Sequence, residues 1–215
     1  ASTTAYLATF NTPGHHPGPI LVDEDYNVYA FDDSTGEILK FASSTDFLFS
    51  FAGLGDNDNQ TGLELQQMAL GKNGNIYIPD FQGSYIIKSF DTNGSFVSKW
   101  SNGAQLATPE NGYFTYAVAT VPNANNVYVL DNGVVKKFNN NELVGTIGSF
   151  GSGDGQIYYG TGLAVDSQDN LYVSDYGNRI QKFSSNGTFV SKIAALGSGP
   201  GQVNNPKGLF VDSQD

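Results

Sequence analysis

The pattern Asn, apolar, Tyr, two residues, Asp recurs four times in this chain: NVYAFD (Asn27 to Asp32), NIYIPD (Asn75 to Asp80), NVYVLD (Asn126 to Asp131) and NLYVSD (Asn170 to Asp175). Successive copies lie 48, 51 and 44 residues apart. A period of this length demands an array of like units, each of which must bury its faces against its neighbours. Each Asp is followed seven to ten residues later by a Phe that closes a short apolar run, at Phe41, Phe90, Phe138 and Phe183. Two more apolar runs complete the unit. One precedes the Asn (19–23, 65–70, 116–121, 162–166) and one follows the Phe (47–51, 96–100, 143–147, 189–193). Polar turn signals such as KNGN, TNGS, SNGT and DSQD separate the runs, and no helical period is visible.

Each unit therefore reads as four antiparallel strands, called a, b, c and d. Sheets of that size bury both faces when they pack radially, which gives a β-propeller. The recurring Tyr29, Tyr77, Tyr128 and Tyr172, with the strand-c Phe, are read as packing between blades. Composition agrees: 26 Gly, 12 Tyr and 15 Phe suit strands joined by tight turns. The single domain 1–215 divides into blades at about 19–53, 63–103, 115–150 and 162–197, with a partial blade from 5–12 and 208–215. The first of these partial segments has the shape of strand d and the last that of strand a. The expectation is four complete blades and part of a fifth, in a five- or six-bladed ring completed by further chain or by self-assembly with another copy.

The net charge of −11 disfavours a nucleic-acid partner, and no Lys/Arg cluster offsets it. Cysteine is absent, so disulfide and thiol chemistry are excluded for these residues. No apolar run approaches the length of a membrane-spanning helix. The chain opens Ala-Ser-Thr-Thr, which reads as an N-terminus left by signal cleavage or as a trimmed chain.

The last repeats carry a family resemblance. Gly151, Gly153, Gly155 and Gln156 lead to Gly162, Val165-Asp166, Asn170-Leu171-Tyr172-Val173 and Asn178-Arg179-Ile180. Gly197, Gly199, Gly201 and Gln202 lead to Pro206, Gly208 and Val211-Asp212. This resembles the NHL repeat, and it fades toward the N-terminus, where Met68-Ala69-Leu70 replaces the Val-Asp step. The resemblance implies an NHL-type propeller. Such propellers serve as binding modules, scaffolds or enzymes, so the fold alone does not assign a role.

Several residues are candidates for function. The loops between strands b and c and between d and the next a would form a ligand-binding face from Asp80, Asp131, Asn132, Tyr158, Tyr159, Asp175, Tyr176, Asn178 and Arg179. The four strand-b aspartates are also read as acceptors for backbone N–H groups in the b–c turns. Asp56, Asp58 and Glu64 alternate oxygen ligands as calcium loops do, although the stretch lacks the Gly and Glu of an EF-hand loop and matches an ordinary linker. His15 and His16 are adjacent on one linker and point apart in extended chain, so they are read as solvated rather than as a metal pair. Asn59, Asn93 and Asn186 head N-glycosylation sequons; the last two also suit hairpin turns. Trp100 is a candidate sugar or protein contact, with packing as the alternative.

Acidity, the absence of Cys, the richness in Asn, Ser, Thr and Gly and an N-terminus that reads as signal-cleaved agree with an extracellular or cell-surface module that binds protein or glycan, with no cofactor beyond possible calcium. The alternative is a metal-dependent lyase or lactone hydrolase with its site in the central channel.

Overall fold

The computed structural model describes residues 17–62, 65, 67–80, 86–100, 117–121, 125–131 and 133–212. The described residues contain strands and no helix. The first sheet is β1 (Pro17–Val22), β2 (Val28–Asp32), β3 (Glu37–Phe41) and β4 (Phe47–Ala52). The second is β5 (Ala69–Leu70), β6 (Ile76–Asp80), β7 (Ile86–Phe90) and β8 (Phe96–Trp100). The third is β9 (Val118–Thr120), β10 (Asn126–Asp131), β11 (Val134–Asn139) and β12 (Glu142–Ile147). The fourth is β13 (Gly160–Val165), β14 (Leu171–Asp175), β15 (Arg179–Phe183) and β16 (Phe189–Leu196), with the short β17 (Gln202–Val203) added in parallel to β16. Within each sheet the strands follow one another in the a, b, c, d order. The fold is an all-β propeller of four-stranded antiparallel blades.

Strand b is the most buried element because it is hemmed in twice. Its backbone pairs with a and c, and its two faces meet neighbouring packing layers. All five residues of β6 are buried, as are the last four of β2 and the last five of β10. Side chains alternate across a strand, so one set packs backward and the other forward around the ring. Tyr128, Leu130 and Val135 of the third blade thus meet Leu163, Leu171, Val173 and Phe183 of the fourth. Tyr29, Phe31 and Ile38 of the first meet Ile76, Ile78 and Phe90 of the second. Between the second and third blades, Trp100 makes edge-to-face contacts with Tyr77 at 5.7 Å and with Phe138 at 6.2 Å. At 7% exposure, Trp100 is a packing residue, which settles the two sequence readings of it in favour of packing.

The Asn-x-Tyr signature has a second job. In the fourth blade Asp166 caps the a–b turn by accepting from the Gln168 and Asn170 amides (3.1 and 2.7 Å), the Asn170 side chain (2.9 Å) and the Tyr172 hydroxyl (3.1 Å). Asp23 repeats this with Asp25, Asn27 and Tyr29. The third blade has Val121 where this Asp should stand, and its Tyr128 hydroxyl crosses the seam to Asp169 of the fourth blade instead, at 2.7 Å. The tyrosines therefore combine an apolar ring in the seam with a satisfied hydroxyl at the turn.

Two strand expectations change. Strand a of the second blade shrinks from 65–70 to Ala69–Leu70, because Leu65 and Met68 turn into the first seam while the Gln67 amide donates to Leu163 O at 2.8 Å. The segment Gly208–Asp212, expected as a lone strand a, follows the path but makes no ladder, since no strand b lies beside it among the described residues. The expected strand d at 5–12 falls outside the described residues.

Two outcomes follow from this packing. Trp100→Ala empties a seam and is expected to cost about 3–5 kcal/mol of stability in denaturant unfolding. Burial opposes the charge on Asp166, but the bonds from Asn170, Lys182 and Tyr172 outweigh it and hold its carboxyl below 3.8. A folded-state value below the unfolded one contributes stability at higher pH that is lost as pH falls through the folded value. The denaturant midpoint is therefore expected to drop as pH falls below about 4, and Asp166→Asn to flatten that acid limb.

Candidate functional site

The linkers from strand d to the next strand a share one construction in three places. Each closes with a parallel bridge: Leu54 with Thr61, Phe150 with Ile157, and Leu196 with Val203. Inside each loop a glutamine folds back on the backbone. Gln60 Oε1 accepts from Asn57 N (3.2 Å), Gln156 Oε1 from Gly153 N (2.9 Å) and Gln202 Oε1 from Gly199 N (2.8 Å). The Gly at the head of each loop makes room for it: a Cβ on Gly55, Gly151 or Gly197 would stand 2.1–2.4 Å from that oxygen. This is the physical content of the Gly-rich, Gln-containing lead.

Beneath the first two of these linkers sits a buried carboxylate. Asp80 is 1% exposed and pairs with Lys88 at 2.5 Å. Lys88 also donates to Asn57 O (2.9 Å) and Gln60 O (2.7 Å) of the incoming linker, while Gly62 N donates to Asp80 (3.0 Å). The fourth blade builds the same device from different residues. Arg179 holds Asp175 through Nε and Nη2, both at 2.9 Å. Its Nη atoms donate to the carbonyls of Gly151, Ser152, Gly153 and Gln156, and Tyr158 N donates to Asp175 at 3.0 Å. Asp131 pairs with Lys136 at 2.7 Å. Asp32 instead binds Ser34 and Thr35 of its own turn. The expectation that these aspartates cap the b–c turns holds for Asp32 and Asp175, whose carboxylates accept from Ser34 N and Gly177 N.

So the residues expected to form one binding face divide into two layers. Asp80, Asp175 and Arg179 lie buried under the loops, and Asp131 is buried against Lys136. Tyr158 and Tyr176 are exposed, at 40% and 38%, with the half-buried Tyr159 and Asn178 beside them; Asn132 lies outside the described residues. Sequence reasoning missed Phe150, which is 50% exposed. Its ring meets Tyr159 at 5.0 Å and Tyr158 at 5.6 Å, and those two rings meet at 4.8 Å. The Tyr176 amide donates to the carbonyls of Tyr158 and Tyr159, tying the b–c turn of the fourth blade to the cluster. From its linker, Phe150 packs against the b–c turn of the third blade, where a Cβ on Gly133 would stand 2.7 Å from it. Tyr159 has φ of 50°, a strained backbone for an aromatic residue; the equivalent place in the next linker holds Asn205, φ 51°. The cluster spans the seam between two blades on the loop face.

The strand a edges surround a cavity of about 370 Å³ at the centre of the array. Leu21, Leu70, Val118, Leu163 and Leu209 line it, with charge supplied by Asp23, Glu24 and Lys72. His15, His16 and Glu64 lie outside the described residues. Asp58 is paired with Lys99 on the next blade, as Asp154 is with Lys192, and Asp56 is exposed on the same linker. Among the described residues no three His, Cys, Asp or Glu side chains group as a metal site would. Asn59, Asn93 and Asn186 are all exposed.

The latch under the loop face has a measurable consequence. Arg179→Met leaves Asp175 buried without its cation and removes a donor from four linker carbonyls, of which Gly153 O and Gln156 O keep another, and is expected to destabilise the protein by about 3–5 kcal/mol, read by denaturant unfolding.

No family model matches the sequence, and no curated protein matches it significantly. Solved structures do match in fold. The RRP9 WD40 repeats superpose with a TM-score of 0.62 at 12% identity, over 84% of this chain and 52% of that one. A streptogramin B lyase gives 0.60 at 15% identity, over 84% and 55%. Virginiamycin B lyase from Staphylococcus aureus gives 0.58 at 13% identity, over 84% and 56%. The chain thus spans about half the length of these relatives in structure, and what it shares with them is the β-propeller fold.

Proposed function

We propose that this protein is a non-catalytic interaction module whose contact surface is the aromatic cluster Phe150, Tyr158, Tyr159 and Tyr176 on the loop face. The observation that carries this is the exposure of three of those aromatics on backbone pinned by the Asp175–Arg179 latch. Exposed rings on a rigid frame offer contact area at little entropic cost, which is the economy of protein- and glycan-binding surfaces. WD40 repeats are among the structures of similar fold. An extracellular or cell-surface setting fits the charge of −11 and the exposed sequon residues Asn59, Asn93 and Asn186.

A second reading has one observation in its favour: a central cavity of about 370 Å³ in a fold shared with two lyases. It makes the protein a metal-dependent lyase or lactone hydrolase. Metal analysis of the purified protein distinguishes it, since that reading requires a stoichiometric divalent ion.

The test of the first reading is binding of the labelled protein to arrayed glycans and extracellular protein domains. Phe150→Ala with Tyr158→Ala is expected to weaken any specific binding by at least about tenfold, the loss of one or two contact-centre aromatics, while Val190→Ser on the exposed part of β16 leaves it unchanged. Unaltered unfolding of the double variant excludes a structural cause. Binding that survives it overturns the assignment.

A further inference from the structure

Three Asn-Gly pairs lie whole within the described residues: Asn73-Gly74, Asn93-Gly94 and Asn186-Gly187. Each Asn is exposed in a turn between strands. The glycines share one backbone conformation, with φ of 76°, 82° and 87°. Each glycine amide donates to a carbonyl three residues back, to Gly71 O at 2.9 Å, Asp91 O at 3.0 Å and Ser184 O at 2.8 Å. By sequence and backbone the three pairs are alike. They differ in what holds the Asn carboxamide.

Asn73 Oδ1 accepts from Asn75 N at 3.1 Å, and its Nδ2 donates to the Tyr77 hydroxyl at 3.0 Å. Asn186 Oδ1 accepts from Thr188 N at 3.1 Å and from Ser184 Oγ at 2.6 Å. The Asn93 side chain makes no hydrogen bond among the described residues, because another residue caps its turn. Asp91 Oδ1 accepts from Asn93 N at 2.9 Å and from Ser95 N at 2.8 Å, and Ser95 N is the counterpart of Thr188 N. The residue two places before the Asn thus decides the matter. Asp91 is an acceptor and caps the turn itself, whereas Ser184 donates to Asn186 and leaves the capping to it.

We infer that Asn93 is a site of spontaneous covalent modification, deamidation through a succinimide with Gly94, and that hydrogen bonding protects Asn73 and Asn186 from the same reaction. The Gly94 nitrogen gives up its proton to water and attacks Asn93 Cγ. A bond forms between them, the Cγ–Nδ2 bond breaks, and Nδ2 leaves as ammonia. Glycine has no Cβ to obstruct this closure. Water then opens the ring at either carbonyl. The product at 93 is an aspartyl residue, or an isoaspartyl residue whose main chain is one carbon longer. A carboxamide held as in Asn73 or Asn186 must first break its own bonds. The position of Asn93 gives the change a structural consequence, because the neighbouring blade grips this turn. Lys40 Nζ of the first blade donates to Thr92 O at 2.8 Å, and a Cβ on Gly94 would stand 2.6 Å from Phe51. A longer main chain has no room there, so the isoaspartyl form loosens the first seam.

The test is ageing of the unglycosylated full chain at neutral pH and physiological temperature, with peptide mapping to read each Asn-Gly separately. Product at 93 is expected to accumulate at least about tenfold faster than at 73 or 186, the effect of the hydrogen bonds those two keep. In denaturant the three rates are expected to converge. Exchanging the deciding residue moves the reactivity: Ser184→Asp is expected to raise the rate at 186, and Asp91→Ser to lower it at 93. The deamidated fraction, separated by its added negative charge, is expected to unfold at lower denaturant than the unmodified protein. Equal rates at the three sites in the folded protein overturn the proposal. So does a preference for 93 that persists in denaturant, which would assign it to local sequence, and so do folded Ser184→Asp and Asp91→Ser proteins with unchanged rates. An unchanged unfolding midpoint in the deamidated fraction overturns the consequence for the seam.

Discussion

The structure depends on how each blade receives the linker from the one before it. A linker that crosses from the outermost to the innermost strand brings carbonyls that no ladder satisfies. The protein meets them with a buried cation, Lys88 in the second blade and Arg179 in the fourth. Burying that cation is tolerable because a strand-b carboxylate lies against it and the linker carbonyls take its remaining donors. A buried ion pair without those extra bonds would struggle to repay its desolvation. Charge pairing, linker closure and blade order are thus one interaction, and it sits directly beneath the face we assign to binding.

That arrangement also accounts for the chemistry of the face. The charged residues directly beneath it, Asp175 and Arg179, are consumed in holding the loop, and the exposed rings of Phe150, Tyr158 and Tyr176 stand above them. Phe150 and Tyr158 are displayed because the loop between them is closed by Ile157, which is fully buried. The strain at Tyr159 is borne by the same frame. Where sheets of repeats pack side by side, a surface cluster at a seam draws its rigidity from two blades at once.

The seams obey a second economy. Tyr128 and Lys137 each place an apolar body in the packing layer and a polar tip on the neighbour. The third blade has Val121 in place of a capping Asp, and its Tyr128 has its partner across the seam in Asp169 rather than within the turn. Such substitutions blur the sequence repeat while leaving the contact pattern intact. They are one reason the repeat is clear at Asn170–Asp175 and faint near Met68.

The sequence by itself determined the strand order, the four-blade repeat and the apolar character of the seams. Those follow from alternation along a strand and from a period that only stacked units can satisfy. It also singled out Asp80, Asp175 and Arg179, but as a ligand face. Tertiary structure put them under the loops, because only the folded linker shows which carbonyls a cation must satisfy. Phe150 was invisible for a related reason: it occupies the same linker position as Leu54 and Leu196, and nothing local marks it as one corner of a cluster. Its significance arises when Tyr158 and Tyr159, brought back by the loop, meet it across a seam that no short stretch of sequence describes.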